Sequence, residues 1–176
     1  PGLGGHCIPI DPFYLTWRAK QVGEKTRFIE LAGEINTAMP KKVVETLSTS
    51  LKDQFNTSLD GSAILLVGLA YKKNVDDTRE SPAFVLIELL EALGATVDYF
   101  DPYVPVVPST REHANLTGRQ SIEWIPKSFS KYDAAVICTD HDNVNYAELV
   151  AACKLIVDTR NATKGITQRR ENVLQA

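Results

Sequence analysis

The 176-residue sequence contains few cysteines, and the three that are present are Cys7, Cys138 and Cys153. An odd, sparse set of this kind is typical of a reducing cytosol rather than of a disulfide-stapled secreted domain. The sequence has no apolar run of about 18 residues, which argues against a membrane span, and no recognisable signal peptide. The net charge of −3 provides no excess of positive charge for a nucleic acid. We therefore expect a cytoplasmic protein that binds neither membranes nor nucleic acids.

The sequence also lacks an initiating methionine and the G-x-G-x-x-G fingerprint of orthodox dinucleotide-binding folds. It opens instead inside a glycine-rich stretch, P-G-L-G-G-H-C-I-P-I-D-P. We expect the chain to be a fragment that is missing its natural amino-terminal part.

What the sequence does contain divides into two halves at a polar stretch, residues 55–61, which is interpreted as a linker. In the first half, apolar residues recur every three or four positions over residues 28–51, which predicts a helix. Pro40 should kink this helix or begin a second one. A shorter helix is expected over residues 11–17, with Asp11 as its cap. The apolar stripe of the longer helix is either core or a dimer surface.

In the second half, short apolar runs alternate with helical patterns. Continuous apolar runs predict strands that are buried on both faces. The predicted strands are residues 63–69, 96–100, 134–138 and 155–158, and the predicted helices are residues 83–93 and 146–152. Residues 122–125 are predicted to form a short helix or turn, and the polar tail after Gly165 is expected to fray. The alternation predicts an α/β fold with a parallel sheet, whose ligands bind at the carboxyl ends of the strands.

The opening stretch presents a thiol, Cys7, close to a predicted helix start. The positive end of a helix dipole favours the thiolate, which is the nucleophilic form. Asp11 lies one helical turn further on, but a carboxylate beside a thiol disfavours the thiolate, so Asp11 is interpreted as a partner for water or a cation. His6 is adjacent in sequence and is not assigned as a base. A buried structural cysteine after a glycine turn is the alternative.

Two further segments place cations at predicted strand ends. Residues 68–82, G-L-A-Y-K-K-N-V-D-D-T-R-E-S-P, lead to a helix N-terminus that favours an anion, and Lys72, Lys73 and Arg79 add positive charge. Alternatively, this is a solvated loop whose cations neutralise its own acidic residues. Arg160, in D-T-R-N after the last strand, lies either on the ligand-binding edge of the sheet or simply at the surface.

The run C-T-D-H-D at residues 138–142 holds residue types that ligate metals. Consecutive side chains project in different directions, however, and no second Cys/His pair stands at a zinc spacing. We therefore predict no metal site and interpret the run as a strand-end cysteine followed by a polar loop.

Together, the opening stretch, residues 68–82 and D-T-R-N resemble the UDP-glucose/GDP-mannose dehydrogenase family, in the same order and with fitting separations. The resemblance implies an α/β, Rossmann-like nucleotide-sugar domain preceded by a helical region that dimerises, with the family's NAD-binding domain absent from this sequence. It implies a catalytic-cysteine loop and central helical region at residues 1–57, with a homodimer contact through residues 28–51. The UDP-sugar-binding domain would occupy residues 58–176.

The resemblance also implies an activity, the oxidation of a UDP-sugar C6 alcohol to a uronic acid with two molecules of NAD. The cysteine matching Cys7 captures the aldehyde as a thiohemiacetal, which becomes a thioester, and the aspartate matching Asp11 helps water to hydrolyse it. By the same resemblance, the residues that match substrate-binding positions are Gly4, Tyr71, Lys72 and Arg160. Arg79 matches the arginine that reaches the NAD pyrophosphate.

The run H-C-I-P-I-D-P-F-Y-L is similar to the branch of the family that oxidises UDP-N-acetylhexosamines. His6 and Ile10 stand where members acting on UDP-glucose tend to carry serine and lysine. We expect the fragment alone to be inactive. The alternatives are a nucleotide-sugar-binding module in which Cys7 is inert and, less favoured, a thiol hydrolase that uses Cys7 with His6.

Overall fold

A computed structural model describes residues 1–168 and 170–176 of the chain. The helices are α1 (Cys7–Gln21), α2 (Arg27–Phe55), α3 (Pro82–Ala92) and α4 (Tyr146–Ala152). The strands are β1 (Ala63–Val67), β2 (Thr96–Phe100), β3 (Ala134–Ile137), β4 (Ile156–Asp158) and β5 (Val173–Gln175). Short 3-10 helices are formed by Ala114–Leu116, Pro126–Lys131 and Arg170–Asn172. Among the described residues, no helix has the length and apolarity needed to cross a bilayer.

The five strands form one parallel sheet in the order β2-β1-β3-β4-β5. At its carboxyl edge, Val67 of β1 pairs with Phe100 of β2 on one side and with Ile137 of β3 on the other. The chain moves outward from β1 to β2 and then returns to the opposite side of β1, so the strand order reverses between β1 and β3. Open α/β sheets bind ligands beside such a reversal. The predicted α/β parallel sheet is confirmed.

The sheet is buried at its centre because the strands β1 and β3 are apolar on both faces. Ile64 and Leu66 of β1 point into a core layer formed with α2 and α3, whereas Leu65 and Val67 point into a second layer formed with α4 and the 126–131 helix. All four side chains are fully buried. Alternation between two apolar layers explains why the run reads as continuous hydrophobicity in the sequence.

Helix α2 is buried along only part of its length. Its carboxyl half belongs to the core through Val43, Val44, Leu47 and Leu51. Its amino half exposes large apolar side chains, with Phe28 88% exposed. The helix does not restart at Pro40, which is buried inside a continuous α-helix. The apolar stripe therefore serves as core in one half and lies on the surface in the other.

One prediction of local structure in the amino-terminal half is wrong. Helix α1 begins at Cys7 and not at Asp11, because Pro9 falls in its first turn, where backbone N–H groups have no helical partner anyway. The predicted linker coincides, within one or two residues, with the non-helical stretch between the end of α2 at Phe55 and the start of β1, and Leu59 within it is buried in the core.

Of two further predictions in the carboxyl-terminal half, one is met only as a turn and the other is wrong. Residues 122–125 form no helix: the Ile122 N–H bonds to the Tyr99 carbonyl at 2.9 Å and keeps the segment alongside β2, while the Ile125 N–H bonds back to the Glu123 carbonyl at 3.0 Å and closes a tight turn. Residue 169 lies outside the described residues, and the rest of the tail does not fray. Its residues 173–175 add strand β5 to β4, and the Asn172 side chain anchors it by donating to the carbonyls of Val150 and Cys153.

Candidate functional site

The glycine-rich segment at residues 1–6 docks on the loop that connects β1 to α3, residues 68–81, here called the β1–α3 loop. The Gly5 N–H donates to the Arg79 carbonyl at 2.9 Å. A Cβ atom on Gly4 would lie 2.6 Å from the Tyr71 Cβ and 2.7 Å from the Glu80 carbonyl oxygen. Gly4 therefore permits close packing of two protein segments, and this contact places Tyr71 and Arg79 beside the residues that lead into Cys7.

Cys7 is the first residue of α1, and its side chain is exposed. The helix cap, His6, makes no side-chain hydrogen bond to the first turn. Asp11 lies one turn later and is also exposed, with its Oδ1 3.8 Å from the His6 Nδ1. The pKa of Arg79 is raised, chiefly by its hydrogen bond to Asp77, with smaller contributions from Tyr71 and Cys7.

The other two cysteines are buried. Burial raises the pKa of Cys138 to about 11 and the pKa of Cys153 to about 12. Both thiols are therefore held in the unreactive, protonated form at neutral pH, and Cys7 is the exposed thiol of the chain.

The cations of the β1–α3 loop differ in how they are engaged. Arg79 grips the Asp77 carboxylate through Nε at 3.0 Å and Nη2 at 2.6 Å, and this bond lowers the pKa of Asp77. Lys73 pairs with Asp142 at 3.0 Å. Within the described part of the chain, Lys72 forms no ion pair, and its Nζ lies 5.4 Å from the centre of the Tyr71 ring. Neutralisation within the loop thus accounts for Arg79, and Asp142 of another segment accounts for Lys73, whereas Lys72 acts on Asp77 only at longer range and stays available.

Arg160 stands at the same edge of the sheet, beyond the end of β4. Its main chain is held by the fully buried Asp158, whose carboxylate accepts hydrogen bonds from the N–H groups of Arg160, Ala162 and Thr163 at 2.9–3.1 Å. The Arg160 side chain donates from Nε to Asp140 at 3.2 Å. Asp158 therefore has a structural role, because it fixes the main chain from which the Arg160 side chain extends.

A buried pair that the sequence did not reveal lies beneath the β1–α3 loop. Asp101, directly after β2, accepts the N–H groups of Leu69 at 2.6 Å and Ala70 at 2.9 Å, and His141 Nε2 lies 3.0 Å from the same carboxylate oxygen. Burial would raise the pKa of Asp101, but the bonds from His141 and the backbone outweigh it and hold this pKa below its usual value. The sequence signal that could have revealed this pair is that Asp101 and His141 each follow a predicted strand.

A cleft of about 630 Å³ opens beside these loops. It is lined by His6, residues 78–80, Phe84 and residues 108–113. The cleft therefore contains Arg79 and Arg111 and borders the residue that precedes Cys7. Its size and position make it the natural place for a polar ligand close to the thiol.

Comparison with known proteins agrees with this geometry. The UDP-binding-domain model of the UDP-glucose/GDP-mannose dehydrogenase family matches residues 65–165, and the central-domain model of the same family matches residues 1–38. The UDP-N-acetyl-D-mannosamine dehydrogenase of Methanococcus maripaludis is 32% identical over 92% of this chain and 35% of its own length. The UDP-N-acetyl-D-glucosamine 6-dehydrogenase of Pseudomonas aeruginosa is 34% identical over 64% of this chain and 27% of its own length.

Among solved structures, the UDP-D-ManNAc dehydrogenase of Pyrococcus horikoshii superimposes with a TM-score of 0.77 at 32% identity, over 99% of this chain and 38% of that one. The chain thus spans roughly a third of the length of the relatives it matches. The docked glycine segment, the β1–α3 loop and the arginine after β4 all fall within the matched region. From this agreement of sequence and fold, we conclude that the chain belongs to the UDP-glucose/GDP-mannose dehydrogenase family.

Proposed function

We propose that this chain is the cysteine-bearing, nucleotide-sugar-binding part of an NAD-dependent UDP-sugar 6-dehydrogenase. One observation carries the proposal. The glycine segment docks on the β1–α3 loop and thereby sets an exposed thiol, Cys7, at a helix start beside a cationic edge of the sheet. A nucleophile and a site for a diphosphate are thus adjacent, as the oxidation of a nucleotide sugar requires.

The chemistry follows from this placement. The Cys7 thiolate adds to the C6 aldehyde of the bound sugar, and the thiohemiacetal keeps the aldehyde in place for the second oxidation. After that oxidation Cys7 carries a thioester. Asp11, one turn along α1, takes a proton from the water that hydrolyses the thioester to the uronic acid. NAD, when bound, accepts a hydride in each of the two oxidations.

Arg79 fits a contact with the NAD pyrophosphate. Its guanidinium lines the cleft, and its side chain is 68% exposed. Nε and Nη2 are used by Asp77, whereas Nη1 has no hydrogen-bond partner in the part of the chain that the structure describes. The arginine therefore retains a donor for a phosphate oxygen, while Asp77 fixes its orientation.

Substrate recognition is assigned to the carboxyl edge of the sheet. Lys72 and Arg160 would meet the diphosphate and nucleotide, with Tyr71 beside them, and Gly4 acts through the loop contact that positions Tyr71. The names of the relatives support a UDP-N-acetylhexosamine as the substrate class. Since the chain spans only about a third of those relatives, we expect it to bind the nucleotide sugar without oxidising it.

The surrounding parts of the chain have roles in the same proposal. We assign residues 1–57 to the catalytic loop and helical region and residues 58–176 to the UDP-sugar domain. The exposed apolar side chains on the amino half of α2 support a homodimer contact through residues 28–51. The three free thiols support a cytoplasmic location.

Calorimetry tests the binding half of this proposal. The wild-type chain should bind UDP and UDP-N-acetylglucosamine, and Lys72→Ala should weaken binding about tenfold, the effect of losing one charge-assisted hydrogen bond. Lys52→Ala is the matched control, because Lys52 is exposed at the end of α2, which leads into the opposite edge of the sheet. Equal affinities for the wild type and Lys72→Ala would remove Lys72 from the site.

The proposed catalytic role of Cys7 is tested in the complete enzyme. We expect two NADH per UDP-sugar, and Cys7→Ala should abolish release of the uronate. Undiminished uronate production by that variant would favour the alternative in which the chain is a binding module with an inert Cys7.

A further inference from the structure

The tip of the β1–α3 loop, residues 72–76, has few main-chain contacts to the rest of the protein, although the Lys73 and Asn74 side chains bind Asp142 and Val75 packs against the core. The loop is well held at its two ends, where Asp101 binds the N–H groups of Leu69 and Ala70 and the Ser81 hydroxyl donates to the Leu69 carbonyl. In the described residues, a single hydrogen bond ties the main chain of the tip to another segment. It runs from the Asn74 N–H to His141 Nδ1 and is 2.9 Å long.

His141 makes this bond from a fully buried position. Its side chain is 0% exposed, and its second ring nitrogen, Nε2, lies 3.0 Å from Asp101 Oδ2. Because Nδ1 accepts the Asn74 N–H, the ring proton resides on Nε2 and is donated to Asp101. One imidazole therefore joins the end of β2 to the tip of the loop after β1, and both of its nitrogens are satisfied.

The attachment point lies close to the cation that the proposed function uses. Lys72 is two positions before Asn74 in the exposed tip. Asn74 has a φ of +62°, a conformation that is unfavourable for most non-glycine residues and persists where the surroundings enforce it. An outer bridge between Asn74 and Asp142 exists as well, but the Asp142 side chain is 65% exposed.

We propose that His141 is a positioning residue for nucleotide binding: by holding the Asn74 N–H and Asp101 together, it fixes the course of the loop tip and hence the place of Lys72. This inference rests on the proposed function of Lys72. It predicts that binding depends on the Asn74 bond in particular, and not on the presence of a well-packed side chain at position 141.

Two substitutions separate the two bonds. In His141→Asn, the amide oxygen takes roughly the place of Nδ1 and can still accept the Asn74 N–H. In His141→Gln, the amide nitrogen takes roughly the place of Nε2, so the bond to Asp101 is kept and the loop tip is released. Thermal melting of both variants checks that they are folded and comparably stable.

The first measurement is calorimetry with UDP on the wild-type chain, both His141 variants, Lys72→Ala and Asp142→Ala. We expect His141→Gln to weaken binding about fivefold to tenfold, as the loss of one anchoring hydrogen bond implies, and His141→Asn and Asp142→Ala to stay within about twofold. The second measurement is amide hydrogen exchange without nucleotide, in which His141→Gln alone should deprotect the Asn74 amide.

The outcomes are distinguishable. If the wild-type chain does not bind UDP, the proposed function fails and this inference fails with it. If Lys72→Ala weakens binding while His141→Gln binds like the wild type, or like His141→Asn, only the positioning role is refuted. An effect of Asp142→Ala as large as that of His141→Gln would place the anchor at the surface bridge and would also overturn the inference.

Discussion

Gly68 offers the sharpest test of how the carboxyl edge of the sheet is built. It follows β1 with a φ of +90°, and its N–H donates to the Phe100 carbonyl at 2.8 Å. A Cβ atom here would lie 2.4 Å from the Thr139 carbonyl oxygen and 2.7 Å from the Thr139 nitrogen. Thr139 cannot easily yield, because its hydroxyl donates to the Ala70 carbonyl at 2.6 Å. The β1 and β3 ends therefore touch at the point where the strand order reverses.

Two costs follow for Gly68→Ala. A non-glycine residue in a disfavoured backbone conformation costs about 1–3 kcal/mol, and overpacking at a fixed neighbour costs about 1–3 kcal/mol. Alanine also lowers the entropy of the unfolded chain, which returns about 0.4–1 kcal/mol. We expect a net loss of about 1–6 kcal/mol, compared with the 5–15 kcal/mol that is typical of the stability of a domain.

Urea denaturation of Gly68→Ala with two glycine controls separates these costs. Gly61 has a φ of +79° with nothing within 4 Å of its Cβ position, so Gly61→Ala reports backbone strain alone. Gly165 has open space and no positive φ, so Gly165→Ala should change the free energy of unfolding by less than about 1 kcal/mol. If Gly68→Ala is no less stable than Gly61→Ala, then Thr139 moves aside freely and the steric reasoning is wrong.

Three further predictions follow from burial and charge. Iodoacetamide at about pH 8 should alkylate Cys7 at least about tenfold faster than Cys138, because burial keeps the Cys138 thiol protonated. Peptide mass spectrometry measures the two rates, and similar rates would contradict the burial of Cys138. The folded-state pKa of Asp101 lies below the usual 3.8, so its contribution is complete above that pH and is lost as the pH falls through the lower value. Asp101→Asn should therefore lower stability at neutral pH and flatten its acid dependence in denaturation measured down to about pH 3, whereas an unchanged acid slope would refute the assignment. Replacing Phe28 and Ile35 together by glutamate should convert a dimer to a monomer in light scattering, and a wild-type chain that is already monomeric would contradict the dimer contact.

Sequence patterns predicted most strands of the sheet because the hydrophobicity of a short segment is enough to identify a buried strand. Apolar runs identified β1, β3 and β4, since strands with two buried faces need continuous hydrophobicity. The edge strand β2 was identified although its residues alternate between buried and more exposed positions. The edge strand β5 was missed because Val173 and Leu174 are only partly buried and gain their strand conformation from pairing with β4. The start of α1 was misplaced because Asp11 is a residue type that often caps helices. The helix instead begins at Cys7, and its first turn accommodates Pro9 without a side-chain cap.

The sequence predicted individual residues of the candidate site but not which residues contact each other. The glycines before Cys7 indicated a close approach, but the partners of Gly4 are contributed by the distant β1–α3 loop. The buried bond between Asp101 and His141 joins two strand ends that sequence spacing cannot pair.

The sequence left open whether Arg79 and Arg160 bind a ligand or only neutralise and solvate the surface, and in the structure each holds a carboxylate, Asp77 and Asp140 respectively. A phosphate that binds as proposed would share these arginines with the carboxylates, so its affinity would be lower than that for unpaired cations.

Helix α2 has a mechanical consequence. Its 29 residues extend about 43 Å at 1.5 Å per residue, and the carboxyl half is embedded in the core while the amino half projects from it. A contact on the projecting half would therefore act on the core through one continuous helix. Pro40 lies between the two halves, and because proline has no N–H, the helix lacks one main-chain hydrogen bond there.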